Sequence, residues 1–280
     1  MLNSQNIVID HFVEKLRSAY HESYGSKETQ ISEVIAWSAK LALENISNSD
    51  ALYHNVDHTI MVTSAGQSII RGKHLCEGGV SPRDWLHFML ALLFHDIGYV
   101  KGVCRNDKEG IYDVGDNRLF ELCSGGTDAA LTPYHVDRSI IFVRERFGGE
   151  LLIDVDADTI ASYIDMTRSP VPEHQRNMDT KDYPGLVRAA DFIGQLGDPN
   201  YLRKIPALFY EFEEIGTNKA IGYKNPHELR DNYAKFYWSV VIPYIQDALK
   251  YLRLTQEGKR WVASLQSHVF DIEHREKAPE

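Results

Sequence analysis

Five histidine and aspartate side chains in this 280-residue sequence have the types and order needed to bind a divalent metal ion. They are His54 and His58 in YHNVDH, His95 and Asp96 in FHDIGY, and Asp191 in RAADFIG. Imidazole and carboxylate ligands together suit Zn, Mn, Fe or Co, and the remaining coordination positions take water or substrate oxygens. Because only two of the five are adjacent in the chain, the fold must bring the distant segments together.

Each of these segments has a simpler explanation when it is considered alone. His54 and His58 are spaced to share one face of a helix, but a capped or hydrogen-bonded histidine explains either residue. The apolar helix before FHDIGY ends on two polar groups, which need either a metal or ordinary hydrogen bonds. Asp191 lies among alanines on an apolar helix, and its alternative role is an ion pair with Arg188.

Helical patterns dominate the elements that must position these side chains. Apolar residues recur three and four apart in segments 32–46 and 136–147. A capping residue before proline marks three helix starts, at Ser81, Thr132 and Asn225. Sustained strand alternation and Asn-Gly or Asp-Gly hairpin turns are missing from the sequence. We therefore predict an all-α protein.

The chain length favours one large domain. We predict a single all-α domain over residues 1–280, with the motif-bearing core at about 50–200 and a C-terminal helical extension at about 201–280. The longest irregular segment is expected at 101–132, as an active-site border or a surface excursion. The aromatic residues after 225 are assigned to the core, with a homodimer interface as the alternative. Pro243 is expected to kink or break that helical region.

The composition limits the classes of partner. The formal charge of −10 and the pI of about 5.6 argue against a duplex nucleic-acid binder, whereas a small phosphorylated substrate stays compatible because a metal supplies positive charge. Cys76, Cys104 and Cys123 form no CxxC pair, which favours a reduced compartment. The N-terminal residues do not resemble a secretory signal, and the apolar runs are short for a bilayer. We expect a cytoplasmic protein without a membrane partner.

The ordered set of motifs resembles the HD-domain superfamily of metal-dependent phosphohydrolases. YHNxxH, then FHDIG and a distant AAD, is similar to the catalytic domain of cyclic-nucleotide phosphodiesterases, and SYIDMTRS is similar to their Ala-Thr-Asp-Met segment. The similarity covers about half of the chain, residues 53–195. It implies an HD-type helical bundle with additional N- and C-terminal helices.

The resemblance also implies a role for each motif residue. It makes His58, His95, Asp96 and Asp191 the ligands of a first metal, with Asp96 able to bridge to a second, and it makes His54 the general acid. One or two divalent ions are expected, with Zn, Mn, Fe, Co or Mg as candidates. Two ions about 3.5–4 Å apart would polarise a phosphoryl group and generate hydroxide near neutral pH. A cationic His54 would protonate the leaving oxygen, a role worth about 10²–10⁴ in rate.

The neighbourhood of the second metal departs from the phosphodiesterase pattern. Those enzymes have a histidine four residues after the histidine of the HD pair, where this chain has Tyr99. His135 could bind the second metal, contact phosphate, or have no ligand. The resemblance suggests that Asp165 supports a metal-site water or histidine from outside the ligand set. Asp57 could orient His54 or face solvent.

The predicted activity is hydrolysis of a phosphomonoester or phosphodiester of a small molecule, with nucleotides and cyclic nucleotides as candidates. Substrate-binding residues are not assigned, because each basic candidate for a phosphate contact also fits a solvated surface charge. These candidates are Lys101, Arg105, Arg138, Arg168 and Arg188. Two alternatives stay open: a di-iron HD-domain oxygenase, which needs more histidines around the second metal, and a non-catalytic ligand-sensing HD module.

Overall fold

Helices make up nearly all the regular structure in the computed structural model, which describes residues 3–149 and 155–274. They are α1 (Ser4–Tyr24), α2 (Thr29–Ile46), α3 (Val56–Glu77), α4 (Pro82–Phe94), α5 (His135–Phe147), α6 (Ala157–Ile164), α7 (Tyr183–Leu196), α8 (Tyr201–Glu214), α9 (Thr217–Ile221), α10 (Pro226–Asp231), α11 (Tyr233–Phe236), α12 (Ile242–Leu252) and α13 (Gln256–Glu273). Short 3-10 turns cover Ile97–Tyr99, Asp128–Leu131, Asp165–Thr167 and Glu173–Gln175. The predicted all-α class is confirmed.

Two of the three predicted helix starts are correct. Ser81 and Asp84 form a reciprocal capping box at α4, and the Asn225 side chain accepts the backbone N–H of Glu228 at α10. The prediction at Thr132 is wrong, because α5 begins three residues later at His135. The hydroxyl of Thr132 instead donates to the Ala129 carbonyl, at the end of the preceding 3-10 turn.

Segment 101–132 contains a small hairpin that the sequence analysis did not predict. Strands β1 (Ile111–Asp113) and β2 (Leu119–Glu121) pair antiparallel. The turn between them places Asp116 and Asn117 at φ 54° and 57°, in the left-handed region that short polar side chains tolerate. With three residues a strand, the hairpin is too short to give the alternation by which strands are recognised.

A buried arginine fixes this segment to the helical body. Arg138 on α5 is fully buried, and its guanidinium donates to both carboxylate oxygens of Asp107 at 2.8 and 2.9 Å. It also donates to the backbone carbonyls of Gly98, Val100 and Asp113. All of its donor groups are bonded to the protein, so Arg138 is a structural cation, neither a phosphate contact nor a solvated surface charge.

Helices α3, α4 and α7 form the centre of the molecule, with α1 and α2 packed on the α4 side and α12 against α3 and α7. The contact between α3 and α7 is close because α7 carries Gly194 there. A Cβ on Gly194 would lie 2.4 Å from the Val62 Cα atom. This approach sets the first turn of α3, which carries His58, beside Asp191 on α7.

Gly98 shows a second close approach. Helix α4 ends at Phe94, and Gly98 lies in the 3-10 turn that follows. A Cβ at Gly98 would lie 2.0 Å from the carbonyl oxygen of His135. The glycine therefore lets the chain after the HD pair pack directly on the first turn of α5.

The C-terminal helices follow the prediction in part. Pro243 lies in the first turn of α12, directly after a π-helical segment, Tyr237–Val241, so the helix changes its geometry immediately before the proline without ending there. Tyr233, Tyr237 and Tyr251 are buried in the core, whereas Trp238 and Phe270 are more than half exposed. None of the helices in the described ranges combines the length and apolar character needed to cross a membrane.

We expect Gly194→Ala to destabilise the protein. The added methyl would collide with the α3 backbone, and overpacking of this kind costs about 1–3 kcal/mol, more than the ~1 kcal/mol that alanine gains in helix propensity. Urea unfolding measures the loss. Gly149→Ala is the control, because nothing lies within 4 Å of a Cβ there. Equal unfolding midpoints for the two variants would contradict the role given to Gly194.

Candidate metal site and the cavity around it

The fold brings the four predicted ligands of the first metal to one point. They are His58, His95, Asp96 and Asp191. The Nε2 atoms of His58 and His95 each lie 3.2 Å from Asp96 Oδ2 and 3.7 Å from Asp191 Oδ1. Ligands held about 2.0–2.2 Å from a tetrahedral ion are separated by about 3.4 Å, so these spacings suit a single cation. We call these four side chains the quartet.

Local structure aims the two histidines of the quartet. Asn55 caps α3, and its side chain accepts the N–H groups of Asp57 and His58, which places His58 in the first turn. His54 precedes this cap, so the predicted shared helical face does not apply to it. His95 follows the last turn of α4, where its ring Nδ1–H donates to the Leu92 carbonyl at 2.8 Å and leaves Nε2 facing the carboxylates.

Two buried atoms of the quartet have no hydrogen-bond partner. His95 Nε2 and Asp96 Oδ2 are both inaccessible to solvent and make no hydrogen bond within the described residues. Such atoms are rare in folded proteins, because an unpaired buried polar group costs about 1–3 kcal/mol. A cation at this point would satisfy both atoms, so the residues present fit a divalent metal.

The charges of the quartet support the same interpretation. Burial raises the pKa of Asp191. Burial acts in the same direction on Asp96, but the neighbouring histidines, His95 foremost, hold the pKa of Asp96 well below its ordinary value. Burial alone would lower the pKa of His95, but the neighbouring Asp96 carboxylate outweighs burial and raises the pKa of His95 to about 9. Positive charge is therefore required beside these carboxylates, and a metal cation supplies it in place of an imidazole proton.

His54 lies beside the quartet but is held by another residue. Its Nδ1 is 2.5 Å from Oε2 of Glu211, a buried residue of α8. Oε1 of Glu211 accepts the backbone N–H groups of Tyr53 and His54 at 2.6 and 3.2 Å. Burial lowers the pKa of His54, but the Glu211 carboxylate outweighs burial, and the net pKa is raised. His54 is thus oriented and stabilised in its protonated form.

Glu211 is not among the site residues that the sequence motifs indicate. It lies 157 residues from His54 and belongs to no recognisable motif. One signal in the sequence could have indicated it. Glu211 continues the three-residue spacing of the apolar residues Ile205 and Leu208, so it lies on the buried face of α8. A glutamate that is buried with them in an amphipathic helix needs a partner.

Tyr99 and His135 form a stack next to His54. The Tyr99 ring stacks on His54 with centroids 4.4 Å apart and on His135 with centroids 4.5 Å apart. His135 Nε2 lies 3.7 Å from Asp96 Oδ1, and burial lowers the pKa of His135 to about 4, so this imidazole is neutral near pH 7. Among the described residues, the groups of three or more side chains able to hold a metal do not include His135.

Two other predicted site residues have partners outside the quartet. Asp57 is about half exposed and forms an ion pair with Lys204 of α8, so Glu211 takes the role of orienting His54. Asp165 accepts from Arg168 Nε at 2.7 Å and from Gln175 Nε2 at 2.8 Å. These contacts place Asp57 at the surface and Asp165 in a network with Arg168.

A cavity of about 560 Å³ opens from the quartet. His54, Tyr99 and His135 line it at the metal end, and Arg168 and Arg188 line another part. Two of the basic candidates have partners away from the cavity. Lys101 pairs with Asp50 and Asp128, and Arg105 is hydrogen-bonded to Glu145. Of the basic candidates, Arg168 and Arg188 are therefore the ones placed to meet a ligand. Arg188 donates to Met166 and Gln175, so it is not the ion-pair partner of Asp191.

Fold and site together define an all-α protein with side chains that could hold a metal ion at the base of a deep cavity. The chain belongs to the Npun_R2479-like family, whose model matches residues 2–275. No curated protein matches the sequence.

We expect His58→Ala and Asp191→Asn to lose bound metal. Each change removes one of four ligands, and metal affinity should fall by more than the ~10–100-fold that loss of an outer-shell partner costs. The measurement is metal per chain by mass spectrometry after reconstitution and dialysis. His227→Ala is the control, because His227 is exposed and pairs with Asp231. Full metal content in both ligand variants would show that the quartet is not the metal site.

The same measurement tests the second site. We expect one ion per chain in the wild type, and the same content in His135→Ala. Two ions in the wild type, reduced to one in His135→Ala, would instead place a second metal between His135 and Asp96.

Proposed function

We propose that the protein is a metal-dependent phosphohydrolase that cleaves a phosphomonoester or phosphodiester of a small molecule. The observation that carries the proposal is the position of His54. Its imidazole lies beside the quartet and is held by Glu211, which is not part of the quartet. A ring nitrogen of His54 lies within 4.8 Å of ligand atoms of His58 and Asp96, while Nδ1 is bound to Glu211. The division into metal ligands and a separate proton donor suits hydrolysis of phosphoesters with poor leaving groups.

The quartet would provide the metal chemistry. A divalent cation held by its four side chains would act as a Lewis acid on the phosphoryl group and lower the pKa of water near it. The candidate metals are Zn, Mn, Fe, Co and Mg, because the ligand set mixes imidazole and carboxylate. The ordered motifs YHNxxH, FHDIG and AAD, which resemble those of HD-domain phosphohydrolases, support the same assignment.

His54 would supply the proton for the leaving group. Its Nδ1–H donates to Glu211, which leaves Nε2 as the nitrogen that can carry a proton toward the cavity. When the ester bond to phosphorus breaks, the departing alcohol oxygen takes this proton and leaves as a neutral alcohol. Glu211 is itself fixed by two backbone N–H groups, so it holds the imidazole in one orientation.

We expect His54→Ala to keep its metal and to lose turnover by about 10²–10⁴ on esters with poor leaving groups. The loss should be much smaller for p-nitrophenyl esters, because p-nitrophenolate leaves without protonation. A panel of alkyl phosphoesters, nucleotides and cyclic nucleotides measures both effects. Full turnover of an alkyl ester by His54→Ala would rule out the proton-donor role.

The same preparations separate the alternatives. Two irons per chain, together with oxygen uptake, would support the di-iron oxygenase and contradict the hydrolase proposal. A protein that binds no metal and turns over no ester would favour a ligand-sensing module.

We expect Glu211→Gln to change the pH profile of kcat/KM. The carboxylate raises the pKa of His54, so its removal lowers that pKa. A general acid must be protonated, and activity is lost as pH rises through its pKa. The basic limb of the profile should therefore move to lower pH in Glu211→Gln. Glu257→Gln, at an exposed position in α13, is the matched control. An unmoved basic limb would separate Glu211 from the ionisation of His54.

A further inference from the structure

The cavity is much larger than a phosphoryl group requires. At about 560 Å³ it falls within the range of sites that enclose a whole small molecule. The quartet and His54 account for one end only. The other part is formed by the end of α7 and by α8 to α11, with the loops between them. The chemistry of that wall therefore selects the part of the substrate that is not phosphate.

This wall is mainly apolar. Side chains from consecutive short elements converge on it: Leu208, Phe212, Ile215, Ile221, Leu229 and Phe236. Ile221 is 56% exposed at the end of α9, although it is apolar. We call these six side chains the apolar wall. Contact with an apolar ligand would remove their surface from water, which favours binding.

Several polar groups that neighbour the apolar wall are bonded to one another or to the backbone. The Gln195 amide donates to the Tyr201 hydroxyl at 3.3 Å, and the Tyr233 hydroxyl donates to the Leu196 carbonyl at 3.0 Å. Tyr223 is hydrogen-bonded to the Asn232 side chain. A ligand with many hydroxyl groups would have to compete with these bonds or leave its own hydroxyls unpaired, which is costly in a buried site.

The anionic end of a ligand has its own partner. Arg188 is buried, lines the cavity, and donates to neutral acceptors, the Met166 carbonyl and Gln175. Arg168, by contrast, is paired with the carboxylates of Asp137 and Asp165. Arg188 and Asp191 are three residues apart on α7, so they lie on one face of the helix. The guanidinium of Arg188, which has no directly bonded carboxylate, thus lies near the quartet and away from the apolar wall.

We propose that the substrate is amphipathic: a phosphoester of a bulky apolar alcohol, aryl or long alkyl, rather than of a sugar or nucleoside. The phosphate group lies toward the quartet and Arg188, and the apolar group fills the space along the apolar wall. This inference rests on the proposed function for the reaction, but not for the binding of the apolar group.

The first test compares kcat/KM on the metal-reconstituted full chain. Phenyl, naphthyl and octyl phosphate are compared with glucose 6-phosphate, AMP and cyclic AMP. We expect octyl phosphate to exceed glucose 6-phosphate by at least about 100-fold, because both leave as alkyl alcohols and each buried methylene is worth about fourfold. We expect naphthyl phosphate to exceed phenyl phosphate for the same reason of buried apolar surface. Equal or better turnover of the sugar phosphate or nucleotides would overturn the substrate class and leave the phosphohydrolase proposal intact.

The second test changes the apolar wall. We expect Phe212→Ala and Leu229→Ser each to reduce the ratio of kcat/KM for octyl phosphate to that for phenyl phosphate by about tenfold, chiefly through KM. Phe270→Ala is the control, because Phe270 is 60% exposed and does not line the cavity. An unchanged ratio in both wall variants, with wild-type unfolding midpoints, would show that the apolar group binds elsewhere.

The third test does not depend on catalysis. Octylphosphonate and methylphosphonate carry the same anionic group and are not hydrolysed, and calorimetry measures their affinity for the metal-loaded protein. We expect octylphosphonate to bind at least about 100-fold more tightly. If it does and no phosphoester is turned over, the proposed reaction fails and the ligand class stands. Equal affinities would overturn the ligand class.

Discussion

The structure depends on one electrostatic constraint, which is that two aspartates and two histidines converge where little water reaches them. Asp96 and Asp191 place oxygens within 3.2–3.7 Å of the same two imidazole nitrogens. Carboxylates this close together need positive charge, either imidazole protons or a metal cation. The helix contacts that hold the quartet together therefore also hold a candidate cation site, and the α3–α7 approach at Gly194 is one of these contacts.

The same electrostatics separates His54 from the histidines of the quartet. Glu211 gives His54 a carboxylate of its own, so this imidazole keeps a proton while His95 turns Nε2 toward the carboxylates. His135 lies on the other side of Asp96 and is neutral because burial lowers its pKa to about 4. His54 and His135 both line the cavity but differ in protonation, because a carboxylate binds His54 whereas burial dominates at His135.

The cavity joins two environments that come from different parts of the chain. The helices α3, α4 and α7 supply the polar base, and α8 to α11 supply most of the apolar side. The C-terminal region is therefore part of the site, since it provides Glu211 and the apolar wall. The sequence analysis placed the motif-bearing core at about 50–200 and treated residues from about 201 as a helical extension. The cavity is lined by residues from both regions.

The sequence by itself indicated the all-α class and several helix positions, because helical periodicity and capping residues are local signals. It indicated the residues of the quartet through the resemblance of their motifs to those of HD-domain proteins. It did not show the short hairpin, the start of α5 or the structural role of Arg138. Only the tertiary structure decided that Glu211 holds His54, that Asp57 faces Lys204 and that Asp165 binds Arg168. The physical reason is that Glu211 and Lys204 meet their partners across about 150 residues, where no local pattern records which side chains will be neighbours. Asp165 and Arg168 are close in sequence, but the second oxygen of this carboxylate accepts from Gln175, which is ten residues away.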